Sequence, residues 1–223
     1  MSKRINIAID GPAGAGKSTV AKEVAKKLEY VYIDTGAMYR AITYQALESQ
    51  INLEDEATFK PLLDEIVIKL TTKGVTADVF INDVNVTEEI RLTDVTNNVS
   101  LVASHKVVRD AMLIQQRQLA SVGGAVMDGR DIGTHVLPDA ELKVFLNATV
   151  DERARRRHEE NLEKGYQSDL EQLKKDIALR DEKDSNREIA PLRKAEDAIE
   201  IDSTSMSIVD VVQTILQLAE KRK

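Results

Sequence analysis

The 223-residue sequence predicts an α/β fold: a doubly wound, mostly parallel sheet flanked by helices, with a small antiparallel sheet inserted into it. Three observations carry this. Short β-branched runs alternate with helical patterns along most of the chain. The first run leads directly into a glycine-rich loop, GPAGAGKST (11–19), and then into a helix. Residues 65–87 break the rhythm with apolar β-branched runs separated only by turn residues.

Each element has a local reason. Residues 5–9 (INIAI) are short and apolar, as a buried strand is. From Lys17 to Leu28 the apolar residues Val20, Val24, Ala25 and Leu28 share one helical face. VYID (31–34) is a second strand, and Gly36 to Ser49 is helical, with Met38, Ile42 and Leu47 among its apolar positions. Lys73-Gly74 and Asn82-Asp83 punctuate the segment EIVIKLTTKGVTADVFINDVNVT (65–87) into two or three antiparallel strands. Helix resumes from about Val102 to Val122 and stops at Gly123-Gly124. AVMD (125–128) and LKVFL (142–146) are further buried strands. Thr149 and Glu152 form a predicted capping box before a basic helix carrying Arg153, Arg155, Arg156 and Arg157, and Ser168 and Glu171 form another. AIEID (198–202) is the last strand, and Ser207 caps a final amphipathic helix with Ile208, Val212, Ile215 and Leu216 facing inward.

Composition narrows the function. The net charge of −7 argues against a nucleic-acid polymer as partner, so any anion must be met by a local cluster. The absence of Trp argues against base-stacking platforms. Without cysteine there is no disulfide, thiolate metal site or Cys nucleophile, and a reducing cytoplasm suits the chain. The apolar run near the N-terminus is broken by Asn6 and ends at Asp10, too short for a signal-peptide core. No apolar run approaches the ~18 residues of a membrane span. His105, His135 and His158 match no metal spacing. Nothing marks an oligomer interface, so a monomer is the expectation.

Gly11-x-x-x-x-Gly16-Lys17-Ser18 has the P-loop spacing, with strand before and helix after. Its glycines let backbone N–H groups approach phosphate oxygens, and the helix that follows adds its positive end. Residues Gly11, Pro12, Ala13, Gly14, Ala15, Gly16, Lys17, Ser18 and Thr19 are the predicted ATP cradle. Within it Lys17 supplies a point charge and Ser18 a hydroxyl ligand for Mg²⁺, with Asp128 able to hold the ion through water. The Asn-Lys-x-Asp of a guanine reader is missing, and the length suits a small phosphotransferase. Transfer to an acceptor that itself bears phosphate calls for arginines outside the loop. Arg40 follows the second strand, Arg130 the third (MDGRDIGT), and Arg180 and Arg187 stand in RDEKDSNR. Two alternatives remain at this point. One is a kinase for another acceptor such as UMP, AMP or a hydroxylated metabolite. The other is a nucleotide-dependent regulatory or RNA-binding adaptor.

GPAGAGKST, IDTGAMYRA, MDGRDIGT and RDEKDSNR, in this order, resemble the bacterial cytidylate kinases, which phosphorylate CMP and dCMP from ATP. The resemblance covers essentially the whole chain. It implies the fold of the nucleoside monophosphate kinases: a five-stranded parallel core (1–61, 99–150 and 188–223), an acceptor-binding insert with a small antiparallel sheet (62–98) and a mobile helical lid (151–187). It implies that Ser100, Arg109 and Asp131 read the cytosine ring. Arg40, Arg130 and Arg187 would hold the CMP phosphate, and Arg180 and Asp184 would contact the pentose. Asp34, Thr35 and Tyr39 would complete the acceptor site, Thr35 standing where the family often has Ser. Lys17, Arg130 and Arg187 are the residues it implies to be catalytic. The arginines of 153–157 and 180–187 are expected to close over the transferring group.

Overall fold

The computed structural model describes residues 4–73, 76–163 and 165–223. Its elements run β1 (Ile7–Asp10), α1 (Lys17–Leu28), β2 (Val31–Asp34), α2 (Thr35–Glu48), α3 (Phe59–Glu65), β3 (Ile68–Lys73), β4 (Thr76–Ile81), β5 (Val84–Asn85), α4 (Thr93–Val102), α5 (Lys106–Ala120), β6 (Ala125–Gly129), β7 (Leu142–Asn147), α6 (Val150–Glu163), α7 (Leu170–Ser185), β8 (Ile199–Asp202) and α8 (Ile208–Glu220). Five parallel strands form the main sheet in the order β2-β6-β1-β7-β8, and β3-β4-β5 form a separate antiparallel sheet.

Alternation along the strands divides the core between the two faces of the sheet. Ile7, Ile9, Val126, Leu142, Val144 and Leu146 pack with Val20 and Val24 of α1 and Val212 and Ile215 of α8. Ala8, Ile33 and Met127 point the other way, into a cluster with Met38 and Ile42 of α2, Phe59 of α3 and Met112 of α5. The inner residues of the small sheet, Ile68, Val79 and Ile81, belong to that second cluster. The insert therefore shares the main core instead of carrying one of its own.

The Asn82-Asp83 turn is present, with both residues in the left-handed region (φ 48° and 68°) between Ile81 and Val84, as a two-residue hairpin requires. Gly74 of the other predicted turn lies outside the described residues. Ser207 caps α8 in a full capping box with Asp210. The other two boxes need correction. Thr149 Oγ1 accepts the amide of Glu152, but the Glu152 carboxylate turns to Arg155 and Arg156 instead of closing the box. At α7 the cap is Asp169, which accepts the amide of Gln172, while Ser168 Oγ meets His158 Nδ1 at 2.9 Å. The helix predicted over 102–122 is α5, which starts later, at Lys106, and a further helix that was not predicted, α4, precedes it over Thr93–Val102. The chain breaks between Val102 and Lys106, where the ring of His105 bonds the carbonyl of Leu53 at 2.7 Å and packs on Phe59. Among the described residues no helix is long and apolar enough to cross a membrane.

Candidate active site

Strand register brings the chemistry to one edge. Asp34 pairs with Asp128 at the ends of β2 and β6, and Asp10 pairs with Gly129 at the end of β1. These carboxyl ends border a cleft of about 2030 Å³ between the 11–19 loop, the α6–α7 pair and α4. Ligands of open α/β sheets bind at such ends.

The glycine loop wraps as its sequence predicts. Gly11 has φ 148°, and a Cβ there would stand 2.0 Å from the carbonyl oxygen of Leu146, so the loop needs glycine at this position. Lys17 is buried and its Nζ donates to the carbonyl of Pro12 at 2.6 Å. Burial and the charge of Arg130 push its pKa well below the ordinary lysine value. Ser18 Oγ donates to Asp128 Oδ2 at 2.8 Å, and the hydroxyl of Tyr32 donates to Asp128 Oδ1 at 2.9 Å. Thr35 Oγ1 donates to the backbone carbonyl of Asp128 at 2.7 Å. Burial, then the charge of Asp34, raise Asp128 to about 6.

Opposite the loop stands a second, strongly basic surface. Arg109 of α5 forms a buried ion pair with Asp131 and lies over the ring of Tyr39, 5.7 Å from its centroid. Arg40 reaches Asp34 at 3.4 Å. Arg130 Nε donates to Asp184 Oδ2 at 2.9 Å, and Arg187 lies 3.6 Å from the other oxygen. Arg180, Arg187 and Ser100 border the same cleft. Several guanidinium atoms are buried there without a hydrogen-bond acceptor: Nε of Arg109, Nε of Arg180, and Nε and one terminal nitrogen of Arg187. Burial and the charge of Arg130 lower Arg180 to about 10, and burial lowers Arg187. Burial acts to raise Asp184, yet Arg130, Arg187 and Arg180 outweigh it and hold it below the usual carboxylate range. Arginines that are buried, mutually repelling and short of acceptors have the chemistry to receive an anion.

A family model described as cytidylate kinase matches residues 7–221. The chain belongs to the cytidylate kinase family. It is 61% identical to the cytidylate kinase of Halalkalibacterium halodurans over 99% of both chains. It is 59% identical to that of Bacillus cytotoxicus, covering 99% of this chain and 98% of the relative. A solved structure of an uncharacterized protein from Eubacterium ventriosum shares the fold, with a TM-score of 0.54 at 16% identity, covering 98% of this chain and 100% of its own.

Asp128 and Asp131 of this cytidylate kinase family member point to different sides, one toward Ser18 and the other toward Arg109. The donor side fits Mg²⁺: a hydroxyl and a buried carboxylate, all oxygen, carry more negative charge than their surroundings favour. The arginines of the basic helix α6 are held by partners within the chain. Arg153 is buried and committed to the carbonyls of Ala13 and Ala148 and to Asp181. Arg156 bonds Glu152 and Ser203, Arg155 pairs with Glu152 and Glu159, and Arg157 with Glu160. In this conformation these arginines brace the helix and the loop. Asp10, Tyr32 and Asp181 were missed in the sequence. Their partners lie far along the chain, so no local pattern marks them.

Asp128 supplies a prediction that separates function from stability. Its folded pKa lies near 6 against an ordinary 3.8, so folding takes up a proton and native stability is lost as pH rises through that window. In Asp128→Asn the amide oxygen still accepts from Tyr32, and the amide nitrogen can donate to Ser18. The metal-free variant is expected to melt a few degrees above the parent at pH 8. The difference should vanish toward pH 4, which calorimetry in EDTA checks.

Proposed function

We propose that the family's reaction, ATP-dependent phosphorylation of CMP and dCMP, runs across this cleft, with ATP on the 11–19 loop and the acceptor phosphate among the arginines opposite. The observation that carries this reading is the group of buried guanidinium atoms without acceptors on Arg109, Arg180 and Arg187. A bound nucleoside monophosphate supplies what they lack. Arg40, Arg130 and Arg187 take its phosphate, Arg180 and Asp184 its pentose, and Ser100, Arg109 and Asp131 its base. Asp34, Thr35 and Tyr39 form the floor of the acceptor site. An acidic and a guanidinium group side by side match the amine donor and ring acceptors of cytosine.

Both substrates are anions, and two unit charges 4 Å apart repel by about 4 kcal/mol at an effective dielectric near 20. Lys17 and the arginines offset that repulsion. The attacking oxygen of the CMP phosphate is already ionised, so no general base is needed, and catalysis is alignment and charge stabilisation. Mg²⁺ arriving with ATP would be held by Ser18, with Asp128 acting through water, and when bound it neutralises charge on the transferring phosphates. Closure of the 151–187 region as a lid over the 62–98 insert and the core would exclude water from the transferring group. On this reading the protein is a monomer without membrane partners; the acidic net charge favours small nucleotides over a nucleic-acid polymer, and the lack of cysteine suits the cytoplasm.

Calorimetric titration of CMP into the protein tests the acceptor assignment. Arg187→Ala is expected to weaken CMP binding by about tenfold or more, the scale of one lost charge-assisted contact. Unchanged affinity would remove this arginine set from acceptor binding.

A further inference from the structure

Asp10 is the last residue of the central strand β1 and directly precedes the phosphate loop. It is 4% exposed, and both of its oxygens are engaged: Oδ1 accepts the amide of Ile132 at 2.8 Å and Oδ2 the amide of Gly133 at 2.7 Å. Those amides open the short π-type turn Ile132–Val136, immediately after Arg130 and Asp131. First-turn amides have no acceptor within their own helix. The usual acceptor is the side chain at the N-cap, where Asp is among the preferred residues. Here the N-cap residue is Asp131, and its carboxylate makes no cap bond. It is spent on Arg109 instead.

We infer that Asp10 is a positioning residue for acceptor selection: by capping the amides of Ile132 and Gly133 from across the sheet, it leaves the Asp131 carboxylate free for Arg109 and the acceptor base. The inference rests on the reading of Asp131 as a base-contacting residue. Without Asp10 two buried amides lack an acceptor, and the nearest carboxylate on the same turn is that of Asp131. Its withdrawal to cap its own turn takes it off Arg109. Gly133 is part of the device. A Cβ there would stand 3.3 Å from Asp10 Oδ2 and 3.1 Å from Cδ of Lys143, itself buried and paired with Asp197, so a side chain would press on the clamp. Burial raises Asp10 to about 7, and the two amides are the main influences drawing it back toward the ionised form. Because one residue joins β1 to the Arg130-Asp131 segment, the donor loop and the acceptor loop share an anchor.

The test is a double-mutant cycle on acceptor discrimination. The ratio of kcat/KM for CMP over UMP, together with KM for ATP, is measured for the parent, Asp10→Asn, Asp131→Asn and the double variant. Asp10→Asn keeps the shape but turns an amide donor toward one of the two N–H groups. It is expected to lower the CMP/UMP ratio about tenfold, the scale of one lost contact to a charged group, with KM for ATP within about twofold. The double variant should fall no further than Asp131→Asn alone, because the first change acts through the second residue. Amide exchange at Ile132 and Gly133 should speed up in Asp10→Asn. An unchanged ratio in Asp10→Asn, or a double variant equal to the product of the singles, overturns the inference. If Asp131→Asn itself leaves the ratio unchanged, the base reading fails first and this inference with it. If Asp131→Asn lowers the ratio and Asp10→Asn does not, this inference alone fails. Should Asp10→Asn not fold, Gly133→Ala, which disturbs Oδ2, is read by the same ratio: a fall supports the inference and an unchanged ratio overturns it.

Discussion

Replacing Lys17 by alanine is expected to lower kcat by about a hundred- to a thousandfold, the range found when one preorganised charge is removed from a transferring group. The fold should not suffer. Lys17 is 5% exposed, and burial with the neighbouring charge of Arg130 disfavours its ammonium form in the folded state. A lysine whose folded pKa lies below its unfolded one costs stability at neutral pH, where the unfolded chain holds the proton more firmly. Its removal should therefore leave the melting temperature at pH 7.5 equal or higher. Stopped assays and a thermal melt on one preparation check both halves. Near-normal turnover would take Lys17 out of the chemistry, and a collapsed melt would make it structural.

The second large effect is expected at Asp131. In Asp131→Asn the shape is kept and the counter-charge to Arg109 is lost, which leaves a buried guanidinium facing a neutral partner. Breaking one side of a buried pair costs about 3–5 kcal/mol in the state that needs it. Part of that cost is already present without acceptor, so kcat/KM for CMP should fall by about a hundredfold while KM for ATP stays close to the parent value. Equal losses for CMP and ATP would mean that Asp131 supports the fold or the metal side instead of reading the acceptor.

What the sequence made legible was whatever adjacent residues determine. The parallel strands follow from apolar runs, the hairpin from Asn82-Asp83, the last helix from Ser207 and its amphipathic face, and the phosphate loop from glycines at fixed spacing. Charge pairs at helical spacing are local as well: Arg155–Glu159 and Arg157–Glu160 are neighbours on α6. The contacts that organise the site are set by strand register and helix packing. Tyr32 meets Asp128 across 96 residues, Asp10 meets Ile132 across 122, and Arg153 meets Ala13 across 140. No periodicity announces such pairs. The same distance effect explains the late start of the helix predicted at 102–122, since the break before Lys106 is held by His105 bonding the carbonyl of Leu53. It also explains the shift of the α7 cap from Ser168 to Asp169 once Ser168 is engaged by His158.

The central claim is that the arginine-lined side of the cleft selects a cytidine monophosphate as phosphoryl acceptor. The most direct measurement is ADP formation from Mg-ATP with CMP, dCMP, UMP, AMP and GMP in turn, beside a control without acceptor. Rapid ADP formation with CMP and dCMP and little with the others is the predicted result. ADP formation that does not depend on the acceptor would contradict it, leaving the phosphate loop in place but no selective site opposite.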